Sequence, residues 1–114
     1  MYCAEAAVEL LIGHRYWLAR DDFGDRFVEV IPALAGDAEM AFVDWVAALA
    51  ALDAGGVPCS ASEAQILGLA ASLAAGIPLN LRDAVTGLDE ANAALVAEAV
   101  MLAAGVRVSG RRRW

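Results

Sequence analysis

His14 and Cys59 are the side chains with which acid–base or nucleophilic chemistry could begin. His14 is the single histidine, and histidine ordinarily titrates near neutral pH. Cys59 lies one residue before a predicted helix start, where the helix dipole can favour a thiolate but where a small apolar residue also commonly packs. We interpret His14 as part of a helix–helix contact and Cys59 as part of the core. We therefore predict no catalytic residue and a protein that is not an enzyme.

Metal ligands are equally sparse. The chain has two cysteines, Cys3 and Cys59, no C-x-x-C pair and one histidine, which is too few for a usual zinc site. Asp22, Asp25 and Glu29 have helical spacing and could bind a hard cation weakly, but such a face is usually only solvated. The sequence also lacks the glycine motifs that bind phosphates or dinucleotides. We therefore predict no metal and no cofactor.

Charge is distributed unevenly along the chain. All eight basic residues are arginines, and fifteen residues are acidic. Residues 1–106 hold four of the arginines and carry 4 − 15 = −11, whereas residues 107–114 hold the other four and carry about +4. An acidic body repels nucleic-acid phosphate, while a basic tail attracts phosphate or an acidic surface. We predict one helical domain over residues 1–105 and a basic, flexible tail over residues 106–114.

The composition favours helices. Hydrophobic residues make up 61% of the 114 positions, and alanine, the strongest helix former, fills 27 of them. The predicted fold is all-α: a compact single-domain bundle of five to six helices, with one short helix at about 80–87 between two longer ones. No apolar run approaches the ~18 residues of a membrane span, and the N-terminus lacks the pattern of a secretory signal. These features predict a cytoplasmic protein without membrane contact.

Apolar spacing and turn residues predict the helix limits in the first half of the chain. The first helix should span residues 3–19. Asp22 should cap a second helix that closes at Pro32, because the residue before a proline avoids the helical conformation. Asp37 should cap a third helix that ends near Asp53.

The second half carries clearer signals. Ser60 and Glu63 have the S-x-x-E spacing of a capping box, which predicts the start of a fourth helix. Gly76 followed by Pro78 predicts its end, because glycine adopts the left-handed conformation there and proline cannot continue the helix. The remaining cap and stop residues are Asn80 and Gly87 for the short helix and Asp89 and Gly105 for the last helix.

Much of the chain resembles a group of small uncharacterised proteins of high-GC actinobacteria. The similar motifs are WLARDDFGDRFV near the N-terminus, DW, ALDAG and PCS in the middle, and LAASLAAGIP with LNLRDAVTGLDEAN after them. The resemblance covers most of residues 10–105. It implies an all-helical fold and such a source, and it implies no activity.

The leading hypothesis is a non-enzymatic module for protein–protein interaction or dimerisation. Aromatic residues crowd the first half, and a small bundle that cannot bury all of them would expose an apolar interface. The candidate partner-binding residues are Arg82 and Asp83, a charged pair that no cap requires, together with Trp17 and Trp45. The partner would be an unidentified protein or a second copy of this chain.

The alternative hypothesis is a DNA-associated regulator. It would use a degenerate helix-turn-helix around residues 61–87 or the basic tail, with a terminal tryptophan for stacking. The short helix offers only Arg82 beside Asp83, whereas a major-groove reader needs several donors in a positive surround. Nucleic acid is therefore the less favoured partner. The tail residues in question are Arg111, Arg112, Arg113 and Trp114.

Overall fold

Helices make up most of the part of the chain that the computed structural model describes, residues 2–32 and 39–106. That part confirms the prediction of an all-α single domain in which a short helix lies between two longer ones, and it adds a small hairpin. The elements in chain order are α1 Cys3–His14, a 3-10 turn Trp17–Ala19, α2 Asp21–Phe27, β1 Val28–Pro32, β2 Glu39–Val43, α3 Trp45–Asp53, α4 Ala61–Ala75, α5 Leu81–Val85 and α6 Glu90–Ala103.

Helix α1 is the centre of the fold, because it packs against both α4 and α6. Gly13 lies beside Leu95 of α6, and Tyr2 lies beside Gly105 just after α6. The two helices are therefore antiparallel. The largest fully buried side chains come from α1, the 3-10 turn, α2, α4 and the loop before α4: Leu10, Leu11, Trp17, Phe23, Val57, Ile66 and Leu67.

The first helix ends earlier than the predicted residue 19. Arg15 adopts a left-handed conformation with φ 62°, which costs a residue other than glycine about 1–2 kcal/mol. The chain then turns so that Trp17 is fully buried against the first turn of α4. There its Nε1–H donates a hydrogen bond to the Glu63 carbonyl over 2.9 Å. Burial of a large apolar side chain contributes about 1.5–3 kcal/mol and offsets the strained turn.

A β-hairpin replaces the predicted end of helix two and the predicted start of helix three. β1 and β2 pair antiparallel, from Val28 opposite Val43 to Pro32 opposite Glu39. The sequence V-E-V-I of β1 is rich in β-branched residues, which lose side-chain freedom in a helix and suit a strand. The pairing also satisfies backbone groups that helical turns would otherwise have satisfied.

The cap predicted for helix two is wrong, and helix three begins later than predicted. α2 begins at Asp21, and no side chain caps it; Asp22 instead lies inside its first turn. Helix α3 begins at Trp45, and Asp44 caps it by accepting a hydrogen bond from the Ala47 N–H over 3.1 Å. Asp37 lies outside the described residues.

The caps of the second half are confirmed. The Ser60 hydroxyl accepts from the Glu63 N–H over 3.3 Å, and the Glu63 carboxylate accepts from the Ser60 N–H over 2.7 Å, which completes the capping box. Asn80 and Asp89 cap α5 and α6 through one hydrogen bond each: their side-chain oxygens accept from the Asp83 N–H and the Asn92 N–H. The stops at Gly76, Gly87 and Gly105 all have positive φ.

None of the helices within residues 2–32 and 39–106 has the length and apolar character needed to cross a lipid bilayer.

Two glycines on or next to α4 give a matched test of this fold. Added Cβ atoms at Gly68 and Gly76 would both meet open space, but Gly76 has φ +68° whereas Gly68 lies inside the helix. We expect Gly68→Ala to raise the free energy of unfolding by about 0.5–1 kcal/mol, through helix propensity. Gly76→Ala should lower it by about 1 kcal/mol or more, through left-handed strain. Urea denaturation measures both, and a shift of the same sign would contradict the assigned helix end.

Candidate functional site

His14 lies at the C-terminal end of α1, close to the first turns of α4 and α6. Its Nδ1 atom is buried and has no hydrogen-bond partner among the described residues, and its ring lies 6.1 Å from that of Tyr16 in an edge-on arrangement. Burial lowers the pKa of His14, while the nearby Glu63 and Asp89 carboxylates partly oppose the shift. The neutral form of the ring therefore predominates at neutral pH.

Cys59 lies at the same end of the bundle, just before the α4 cap, and packs partly against the core. Burial raises the pKa of Cys59, and the Glu63 carboxylate raises it further, although Arg20 opposes both. The thiol is therefore protonated at neutral pH. Within the described residues no hydrogen bond joins Cys59 to His14, so the two do not form the activated nucleophile–base pair that catalysis of this type requires.

Arg20 organises this end of the molecule. Its guanidinium donates to the Pro58 carbonyl over 2.7 Å, to the Tyr16 hydroxyl over 3.0 Å and to the Asp22 carboxylate over 2.8 Å. The hydrogen bond from Arg20 is the main cause that lowers the pKa of Asp22. Arg20 thus connects the start of α2 to the loop before α4, and Asp22 is its ion-pair partner.

The acidic run around α2 does not form a metal site. Asp22 pairs with Arg20, and the described part of the chain contains no group of three or more histidine, cysteine or acidic side chains arranged to hold a metal ion.

Helix α5 carries Arg82 and Asp83 on an exposed surface that is also apolar. Leu81 is 63% exposed and Val85 40% exposed, while Ala84 is the one buried residue of this helix. The Arg82 and Asp83 side chains make no ion pair or hydrogen bond with any other described residue. We call the exposed side chains of Leu79, Leu81, Arg82, Asp83 and Val85 the α5 surface.

Gln65 fixes the α5 surface to the rest of the fold. Its side-chain amide, on α4, donates to the carbonyls of Asp83 over 2.9 Å and Thr86 over 2.7 Å. A five-residue helix is too short to be stable alone, so this clamp and the Asn80 cap hold it. The sequence alone does not show that the α5 surface is apolar, because apolar residues four positions apart, such as Leu81 and Val85, usually lie on the core side of a helix.

The other candidate residues occupy different surroundings. Trp17 is fully buried and serves the core, so in this fold it offers no surface to a partner. Trp45 is partly buried and packs against the core at the start of α3. The tail residues Arg111, Arg112, Arg113 and Trp114 lie outside the described residues.

The helix-turn-helix hypothesis gains little from the geometry. The helix that would enter the major groove is α5, which has five residues, Leu81–Val85, and one arginine beside one aspartate. A recognition helix makes several contacts to base edges and adjoins phosphate-binding groups of positive charge. The short α5 carries one cation beside one anion and so lacks the positive surround of such a helix.

Comparison of the chain with protein-family models, with curated proteins and with solved structures found no match. The functional proposals below therefore rest on the geometry and chemistry of the chain itself.

His14 makes the stability of the fold pH-dependent in a defined direction. The unfolded chain binds a proton near the ordinary histidine pKa of 6.5, whereas the folded chain binds it only at lower pH. The unfolded state therefore holds more protons in this window, and the fold loses stability as pH falls. We expect the free energy of unfolding to fall between about pH 7.5 and 5.5, and His14→Gln to flatten that dependence. Identical pH profiles for the two proteins in urea denaturation would contradict the assigned environment of His14.

Proposed function

We propose that this protein is a non-enzymatic interaction module that dimerises through the α5 surface. The observation that carries the proposal is a combination on one short helix: Leu81 and Val85 are exposed apolar side chains, and Arg82 and Asp83 are a cation and an anion that pair with no other described residue. Exposed apolar groups favour association, because association removes them from water.

The charges on α5 suit a second copy of the same surface. In a twofold arrangement with antiparallel α5 helices and the axis between residues 82 and 83, Arg82 lies opposite Asp83 of the second copy, and the pair occurs twice. A twofold interface must be self-complementary in this way. Exposed ion pairs add little affinity, so Leu81 and Val85 supply the attraction and the charges select the partner.

The expected association is weak. A standard interface buries about 800 Å² on each partner, and a five-residue helix with its flanking loop offers only part of that area. We expect a dissociation constant of about 1 µM to 1 mM. With such a dissociation constant, the fraction of protein in the dimer rises with protein concentration across this range.

Sedimentation velocity across that concentration range tests the proposal. We expect Leu81→Asp to make the protein monomeric, since it places a charge in the apolar contact. Val100→Asp is the matched control: Val100 is 52% exposed on α6, away from the α5 surface, and its replacement should leave association unchanged. A wild-type protein that stays monomeric at millimolar concentration would refute dimerisation through α5.

Charge reversal identifies the partner as a second copy. Arg82→Asp and Asp83→Arg should each weaken the dimer, because each brings like charges together. The double variant R82D/D83R should restore association, since both reciprocal pairs are re-formed with their signs exchanged. Failure of the double variant to associate, with its circular dichroism unchanged, would contradict the reciprocal pairing.

A further inference from the structure

A groove lies at the base of the hairpin, where β1 leaves α2 and β2 leads into α3. Its volume is about 470 Å³, and residues 25–29 and 42–44 line it. The Asp44 N–H donates to the Phe27 carbonyl over 2.7 Å and fastens the two sides of the base together. Phe27 is buried, whereas Phe42 is 48% exposed. The groove thus exposes the Phe42 ring, and the hydrogen bond between Asp44 and Phe27 holds the adjoining backbone in place.

The polar groups that line the groove have predominantly one sign of charge. They are the carboxylates of Asp25, Glu29 and Asp44 and the guanidinium of Arg26, which together carry 1 − 3 = −2. Arg26 is already engaged: it lies 4.8 Å from the centre of the Phe27 ring, and its Nη1 donates to the Gly56 carbonyl over 3.2 Å.

Asp25 and Glu29 form no ion pair with another described residue. The groove therefore favours a cationic occupant, and two copies of it repel each other. This distinguishes it from the α5 surface, whose charges are balanced.

The chain itself contains a segment with the complementary chemistry. Residues 107–114, RVSGRRRW, hold four arginines, one tryptophan and no acidic residue. A guanidinium binds a carboxylate through paired hydrogen bonds and also stacks on aromatic rings. We propose that residues 107–114 dock in the hairpin groove, with arginines on the Asp25 and Glu29 carboxylates and Trp114 against Phe42.

The length of the segment sets how far from Val106 it can bind. Eight extended residues span at most about 28 Å, and the described molecule measures 43 × 38 × 23 Å. The segment follows Val106 directly, so it can bind a groove that lies within this distance of Val106, whether that groove belongs to its own copy or to a neighbouring one.

Photo-crosslinking of the full chain tests the docking. With p-benzoyl-phenylalanine in place of Trp114, we expect irradiation to form adducts that map by peptide sequencing to residues 25–29 and 42–44. Adducts at those residues support the proposal, whether they join one copy or two. An absence of adducts, or adducts confined to other surfaces, would overturn it.

Charge variants supply the control. The triple variant R111E/R112E/R113E should lower the crosslink yield about tenfold, because weak ion pairs with Asp25 and Glu29 become repulsions. The variant R111K/R112K/R113K should retain most of the yield. These changes leave the residues that line the groove, 25–29 and 42–44, unaltered, and circular dichroism checks that the variants keep the helical fold. Glu29→Arg should lower the yield and should restore part of it when combined with the glutamate triple variant. Equal yields for all these proteins would refute an electrostatic docking site.

The docking does not depend on dimerisation through α5. The Leu81→Asp protein should keep its crosslinks to the groove, and the glutamate triple variant should keep its association in the centrifuge. Loss of adducts together with the dimer would show that the tail contact is a by-product of the α5 interface, which would overturn docking in the groove as a separate property.

Discussion

The contact between the Trp17 indole and the first turn of α4 is the constraint on which the rest of this fold depends. To bring Trp17 under that turn, α1 must stop at His14 and Arg15 must adopt a left-handed conformation. The indole N–H then bonds to the Glu63 carbonyl, within the capping box that starts α4. The interaction joins a local helix start to a residue 46 positions away. It thereby holds the 3-10 turn that leads into α2 against the start of α4.

The sequence predicts a structural feature correctly where the interacting residues lie within one helical turn, and it fails where they are distant in the chain. Ser60 with Glu63, Asn80 and Asp89 act within one turn, and all three caps lie where their spacing indicates. The hairpin depends on the pairing of Val28–Pro32 with Glu39–Val43; the β-branched residues of β1 favour a strand, but no local pattern identifies its partner. A helical reading of Phe23 and Phe27 is correct as far as α2 extends, since both are buried. It fails beyond Phe27, where β-branched residues begin.

The α5 surface likewise contains residues that the sequence singles out and residues that it does not. Arg82 and Asp83 stand out in the sequence because no cap needs them, and both are exposed and unpaired among the described residues. The apolar half of the α5 surface does not stand out, because Leu81 and Val85 look like residues of a core face. Which side of so short a helix meets the bundle is decided by Ala84 and by the Gln65 clamp. Both are properties of packing between helices, which periodicity over five residues cannot define.

Several side chains that could take part in chemistry are instead engaged in hydrogen bonds or burial that stabilise the fold. The Glu63 carboxylate accepts a hydrogen bond from the Ser60 N–H. The Arg20 guanidinium donates one to the Pro58 carbonyl in the loop before α4. Burial keeps His14 neutral and Cys59 protonated. The described residues also form an α5 surface of balanced charge and a hairpin groove of negative charge. A balanced surface can pair with its own copy, whereas an acidic groove repels its copy and attracts a cation. The two surfaces therefore call for different occupants, and the basic residues 107–114 of this chain have the charge that only the groove selects.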